Sequence, residues 1–376
     1  MSSTNNVISK INVGHYFEDF YLNQVIQHAT PRTIGEGEAA LYIALTGARQ
    51  VLHSAETVAQ SLGYKARPID DLLAFHIAFG KTVPDISVNA VANLGYADVR
   101  FLQPVYAGDT IGTSSTVIGL KQNSNGKSGM VYVRSIAINQ DQQAVFSWVR
   151  WVMVHKKVLT AAMPETAAPE TVVPEKVVPE KVVPKLLSLV PVAELNIPSF
   201  LDASQFDTSN TGGSYLWDDY VVGERINHPA GMTISDTDHT LATKLYQNNA
   251  RLHFDDVMMK TTAFGRRLMY GGHIISLCRA LSHDGLENAL SILAINAGTH
   301  CNPTFGDDTI YTWTEVLDKW EIANRSDVAA LRLRMVGVKN QAADTLAGTH
   351  ISNDGKQSYH PNVVLDLDYT VLMPRK

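Results

Sequence analysis

Residues 16–67 of this 376-residue chain recur, altered, 200 positions downstream. Phe17-Glu18-Asp19-Phe20 returns as Trp217-Asp218-Asp219-Tyr220, and Ile26-Gln27-His28 as Ile226-Asn227-His228. Thr33-Ile34-Gly35-Glu36 returns as Thr233-Ile234-Ser235-Asp236, while Leu41, Leu45, Leu52, His53 and Arg67 each meet their own residue type again. A period this long exceeds any solenoid repeat and marks one domain duplicated within one chain. The length agrees, since a single hydrophobic core rarely grows past roughly 300 residues. Two related sites are therefore expected, each free to diverge.

Composition breaks between the copies. From Pro164 to Pro184 a proline stands at every fifth position, in the order PETAA, PETVV, PEKVV, PEKVV. That spacing forbids regular helix and favours extended chain, so the stretch reads as a tether. The expected organisation is a domain over 10–157, a linker over 158–204 and a second domain over 205–376.

Both copies show the same order of patterns. Thr33 with Glu36, and Thr233 with Asp236, put an acceptor and an acid where a helix start needs them. Ala39–Leu45 and Leu241–Tyr246 follow as helix. An irregular stretch ending in histidine comes next, and then an apolar run, Leu72–Phe79 in one copy and His273–Leu281 in the other. These runs are apolar almost all round and predict buried helices. The remainder alternates as strand, with a hairpin over 129–152 and strands over 309–316, 330–336 and 363–369. A buried helix followed by long antiparallel strands predicts an α+β fold in which a sheet wraps the helix.

The bulk numbers exclude several classes. A net charge of −6 argues against a broad nucleic-acid or anionic-membrane footprint. No stretch approaches the roughly 20 apolar residues of a spanning helix. The first residues, Met1–Asn6, lack the basic and apolar regions of a secretion signal. The two cysteines, Cys278 and Cys301, have no metal-type spacing and cannot form a disulfide framework, so a cytoplasmic protein is expected.

Three local patterns carry chemistry. The loop before each histidine reads Thr46-Gly47-Ala48-Arg49-Gln50-Val51-Leu52-His53 and Tyr246-Gln247-Asn248-Asn249-Ala250-Arg251-Leu252-His253. Each buried helix is preceded by an arginine segment, Arg67-Pro68-Ile69-Asp70-Asp71 and Arg266-Arg267-Leu268-Met269-Tyr270-Gly271-Gly272-His273. The turn Pro104-Val105-Tyr106-Ala107-Gly108-Asp109-Thr110 is echoed by Pro303-Thr304-Phe305-Gly306-Asp307-Asp308-Thr309.

Together these resemble the MaoC-like, or R-specific enoyl-CoA hydratase, family of hotdog folds, and the resemblance spans both copies. It implies a double hotdog: two tandem domains, each an antiparallel sheet around a buried helix. Longer phrases, among them His28-Ala29-Thr30-Pro31-Arg32-Thr33 and Phe79-Gly80-Lys81-Thr82-Val83-Pro84-Asp85, are similar to the mesaconyl-CoA hydratase branch, also called β-methylmalyl-CoA dehydratases. The implied activity is reversible water addition to an α,β-unsaturated acyl-CoA, with an acyl-CoA substrate and no redox cofactor or metal. A plainer R-3-hydroxyacyl-CoA hydratase, a thioesterase and a noncatalytic acyl-CoA binding protein are the rival readings. A homodimer is expected.

The resemblance also implies roles. His253 is the expected general base or acid, because imidazole titrates near neutrality. Gly271 and Gly272 open the helix where a backbone amide would hold the enolate-like oxygen. Asp71 and Leu72 stand there in the first copy, so the second copy is the expected working site. The family's loop aspartate is Ala48 in one copy and Asn248 in the other. Asn248 as a neutral partner, Asp255 two residues past His253, or Asp70 from the first copy remain as replacements. Arg251 is a candidate for the free carboxylate of a mesaconyl group, since guanidinium grips carboxylate with two prongs. Arg266, Arg267 and Lys260 are candidates for the CoA phosphates, Tyr270 for the substrate, and His53 for a CoA contact in a lapsed first site.

Overall fold

The computed structural model describes residues 10–157, 182–353 and 355–376. The first copy holds strands β1 (Val25–Thr33), β2 (Ala90–Phe101), β3 (Thr110–Gln122), β4 (Ser128–Ile138) and β5 (Ala144–His155). Its helices are α1 (Glu36–Thr46), α2 (Val51–Ser54), α3 (Glu56–Ser61) and α4 (Asp71–Ile86). The second copy holds β6 (Arg225–Thr233), β7 (Ile292–His300), β8 (Thr309–Glu321) and β9 (Val328–Lys339). A small hairpin of β10 (His350–Asn353) and β11 (Lys356–Tyr359) precedes β12 (Val363–Pro374). Helices α5 (Asp236–Leu245), α6 (Asp256–Met259) and α7 (Gly271–Leu281) complete it.

All the main strands form one ten-stranded antiparallel sheet in the order β1-β3-β4-β5-β2-β7-β12-β9-β8-β6. Read outward from the centre, the two halves have matching orders. The halves join through β2 and β7, with Tyr96 opposite Gly298 and Val99 opposite Ile295. Each half wraps its own long helix, which is the double hotdog expected from the sequence. Alternation makes the wrap: along β3 from Thr110 to Gly119 every second residue is buried, giving the sheet one apolar face.

From Leu72 through Val83 every residue of α4 is buried, and α7 is buried from Gly272 to its end. Removing a side chain such as Phe75 or Ile77 from water contributes roughly 1.5–3 kcal/mol. Both helices belong to one hydrophobic cluster, and they touch each other. His76 Nε2 and Ser276 Oγ, one on each helix, lie 3.1 Å apart.

The helix starts fall two residues later than the sequence pattern suggested. Thr33 and Thr233 end strands, and their hydroxyls bond those of Thr110 and Thr309 at 2.7 Å. The caps are Gly35, whose amide donates to Glu38 at 3.0 Å, and Ser235, whose Oγ accepts from Asp238 N at 3.0 Å. The strand ladders continue through the threonines, and ladder pairing outweighs the local capping signal.

The proline repeat up to position 181 lies outside the described residues. Beyond it the chain is packed: Val182 bridges Leu120, and Val190, Leu195, Leu201 and Ala203 are buried in an apolar cluster with Leu52, Leu62 and Leu293. Among the described residues no helix is long and apolar enough to cross a membrane.

Candidate active site

The loop after α5 turns inward through Asn248 and closes in a short 3-10 turn, Arg251–His253, which points His253 at the start of α7. The His253 ring is buried, and its Nδ1 lies 3.0 Å from the carbonyl oxygen of Leu268. A carbonyl only accepts, so Nδ1 carries the proton and Nε2 keeps a lone pair. Burial pushes the His253 pKa down to about 4, so the imidazole is neutral at pH 7. Tyr270 packs edge-on against this ring, with centroids 5.5 Å apart.

His253 lines a cavity of about 290 Å³ built by both copies. The second copy supplies Asn248, Leu252, Tyr270, Gly271 and His300, and the first supplies Phe79, Tyr96 and Arg150. Asn248 occupies the place of the family aspartate. Its Oδ1 accepts from Ala250 N at 3.0 Å, which leaves its NH₂ as the donor for the cavity. Gly271 begins α7, and Tyr270 offers no side-chain cap to the first-turn amides. A Cβ at Gly271 would overlap the His300 ring, and one at Gly272 would overlap the Tyr270 ring. Only glycine lets these rings lie against the helix start. Gly272 is buried there but does not line the cavity.

His300 at the end of β7 lies with Nε2 3.1 Å from the Tyr96 hydroxyl of β2. Burial, with His253 nearby, lowers its pKa to about 4. None of the side chains lining the cavity is Asp or Glu. The cavity wall therefore offers neutral imidazoles, side-chain amides, the phenols of Tyr96 and Tyr270, and one guanidinium, without a carboxylate.

The first copy places its equivalents differently. Asp70 accepts from Leu72 N at 2.9 Å and Leu73 N at 3.3 Å, so a carboxylate already fills the start of α4. His53 Nε2 lies 3.4 Å from Asp71 Oδ2, which also accepts from Ile292 N at 2.7 Å. Burial opposes charge on His53, but the Asp71 carboxylate outweighs it and raises the pKa. The spaces around His53 measure about 30 and 10 Å³, room for water and not for an acyl group.

The remaining candidates lie away from the cavity wall. Asp255 caps α6, accepting from Met258 N at 2.9 Å. The Arg251 side chain is exposed. Arg267 bonds Thr240 at 2.9 Å and Asp236 at 3.2 Å, fastening its segment to α5. Arg266 is exposed, stacks over Phe305 and donates to the Gly306 carbonyl. Lys260 pairs with Asp256 at 2.8 Å on the surface.

Sequence reasoning missed His300, Tyr96 and Arg150. For Arg150 a signal existed: positions 146, 148, 150, 152 and 154 of β5 share one face and all are buried, so an arginine stands among core residues.

Comparison with known proteins follows the same lines. A profile described as the MaoC like domain matches residues 19–139. A β-methylmalyl-CoA dehydratase of Chloroflexus aurantiacus is 52% identical over 98% of this chain and 99% of its own. The chain belongs to the MaoC-like dehydratase family. Within it, a mesaconyl-CoA hydratase of Cereibacter sphaeroides is 50% identical over 97% of this chain and 100% of its own. The crystal structure of a MaoC domain dehydratase from Chloroflexus aurantiacus superposes with a TM-score of 0.90 at 51% identity, covering 98% of this chain and 100% of that one. The MaoC-like profile covers the first copy, whereas the open cavity surrounds the histidine of the second.

Proposed function

We propose that this MaoC-like enzyme is a hydro-lyase that interconverts mesaconyl-CoA and β-methylmalyl-CoA by reversible addition of water. The reading rests on a neutral His253, its Nε2 lone pair available, beside the uncapped start of α7 in a cavity large enough for an acyl group. The identity of about 50% to enzymes bearing those names supports the substrate.

In the forward direction His253 Nε2 takes a proton from water held by the Asn248 amide. The water oxygen bonds the β-carbon, and the double-bond electrons move onto the thioester oxygen. The amide at Gly271 faces that developing charge, and the α7 dipole adds to it. The imidazolium then returns its proton to the α-carbon. We assign both steps to His253, because no carboxylate lines the cavity and the Nε2 of His300, the other imidazole on its wall, is engaged with the Tyr96 hydroxyl. Acid–base chemistry of this kind asks for no cofactor or metal. The exposed cations Arg251, Lys260 and Arg266 are the groups we propose for the CoA phosphates.

We further infer a cytoplasmic homodimer: both cysteines are free, and β1 and β6 leave open edges to the sheet. Light scattering tests the dimer. For the activity, adding the protein to mesaconyl-CoA should bleach the enoyl-thioester absorbance without releasing CoA thiol. Binding without bleaching would refute the hydratase reading, and thiol release would point to a thioesterase.

A further inference from the structure

Arg150 is completely buried at the inner face of β5. Its Nη2 donates to Thr82 Oγ1 at 2.8 Å and its Nη1 to Ser87 Oγ at 3.4 Å. The guanidinium lies over the Phe79 ring, 4.3 Å from its centroid, and its Nε has no partner. No carboxylate of the described residues pairs with it, although other arginines on the strands, Arg332 with Asp368 and Arg334 with Asp366 among them, do have such partners. Burial lowers its pKa only to about 10, so it stays charged at neutral pH.

A buried cation without an anion is costly, and proteins normally supply the partner. Arg150 also lines the large cavity, where it is the one Lys or Arg side chain and where no Asp or Glu stands. Aromatic rings connect it to the reacting end: Phe79 to Tyr270 at 6.3 Å, then Tyr270 to His253 at 5.5 Å. An anion entering with the substrate would complete the pair.

We propose that Arg150, contributed by the first copy, receives the free carboxylate of a dicarboxylic acyl thioester whose carbonyl sits at the start of α7. The inference rests on the hydratase reading of the same cavity and adds to it the element that selects the substrate class. It also explains why the silent copy persists, since one copy performs the chemistry while the other reads the far end of the acyl group. Arg251, exposed and off the cavity wall, is released from that role.

Saturated analogues separate recognition from turnover. Calorimetry on the unaltered protein should show succinyl-CoA binding at least tenfold tighter than butyryl-CoA. Arg150→Met, which keeps bulk and removes charge, should bring the two affinities within threefold. It should also lower kcat/KM for mesaconyl-CoA by roughly a hundredfold or more, as expected on losing one partner of a buried charge pair. Arg150→Lys should restore part of the preference, and circular dichroism confirms the fold of each variant. Equal binding of the two analogues by the unaltered protein would overturn the proposal. So would an Arg150→Met variant that keeps the preference. If mesaconyl-CoA is not hydrated at all while the analogue preference holds, the hydratase reading fails and the carboxylate site stands.

Discussion

His53 Nε2 and Asp71 Oδ2 lie 3.4 Å apart, and with that contact the first copy closes its own site. The matching positions of the second copy are His253 and Gly271, where no carboxylate is available and the cavity opens. Duplication kept the histidine in both places, and the residue opening the buried helix decided between an ion pair and a base. His253→Ala should therefore lower kcat by 10²–10⁴-fold, the usual contribution of a general base. His53→Ala should leave kcat within about threefold and cost some stability. Steady-state rates on mesaconyl-CoA check both, and the opposite ranking would move the active site to the first copy.

Acid should unfold this protein early. Burial holds His253, His273 and His300 at about 4, and His76 and His239 at about 3, below the ordinary 6.5. With the folded value depressed, the unfolded chain takes protons first as pH falls. Stability is therefore full above about 6.5 and declines toward 4. At pH 5.5 a group shifted from 6.5 to 4 costs about 1.4 kcal/mol, against a typical total of roughly 5–15. Burial lowers His228 and His283 as well, so His53, which acts in the opposite direction through its raised pKa, is one group against seven. Urea midpoints should drop markedly between pH 7.5 and 5.5, and unchanged midpoints would contradict neutral buried histidines.

Gly271 is fixed by the ring that lies on it. A Cβ there would overlap His300, whose Nε2 is held 3.1 Å from Tyr96 Oη. Gly271→Ala should destabilise the fold by about 1–3 kcal/mol, the range for overpacking, and lower turnover more than hundredfold by displacing the amide. Combining it with His300→Ala should restore part of the stability, because the two residues share one contact. Denaturation of the four-member cycle measures that coupling, and simple additivity would show that the clash is not with His300.

The duplication, the helix-wrapping sheet and the divergence of the two helix starts were legible because each is written locally, as spacing, alternation or a changed residue within a motif. The composite cavity was not. Tyr96 meets His300 only because β2 pairs with β7, a register between residues about 200 apart that no window of sequence records. Arg150 carried a trace of its role in strand parity, yet the residue that makes its burial meaningful, His253, reaches the same cavity from the other copy. Arg251 looked informative because it interrupts the family loop, but the short turn it begins leaves its side chain in solvent.

The two copies are coupled through Gly80. This glycine in α4 lies so close to the Tyr246 carbonyl that a Cβ would overlap it, so helix and loop meet backbone to backbone. Tyr246 begins the loop that carries Asn248 into the cavity, and Lys81, the next residue of α4, donates to Gln247 Oε1. Gly80→Ala in an ordinary helix would be slightly favourable, since alanine is the better helix former. Here overlap with backbone should reverse the sign and destabilise the fold by about 1–3 kcal/mol. Turnover should fall as well, through displacement of Asn248 rather than of His253, whose Nδ1 bond to Leu268 does not involve α4. Lys81→Met, which loses the contact to Gln247 without forcing the backbone apart, should give a smaller loss of the same kind. Equilibrium unfolding together with kcat for both variants tests this, and a Gly80→Ala protein as stable and active as its parent would show that the halves move past each other freely.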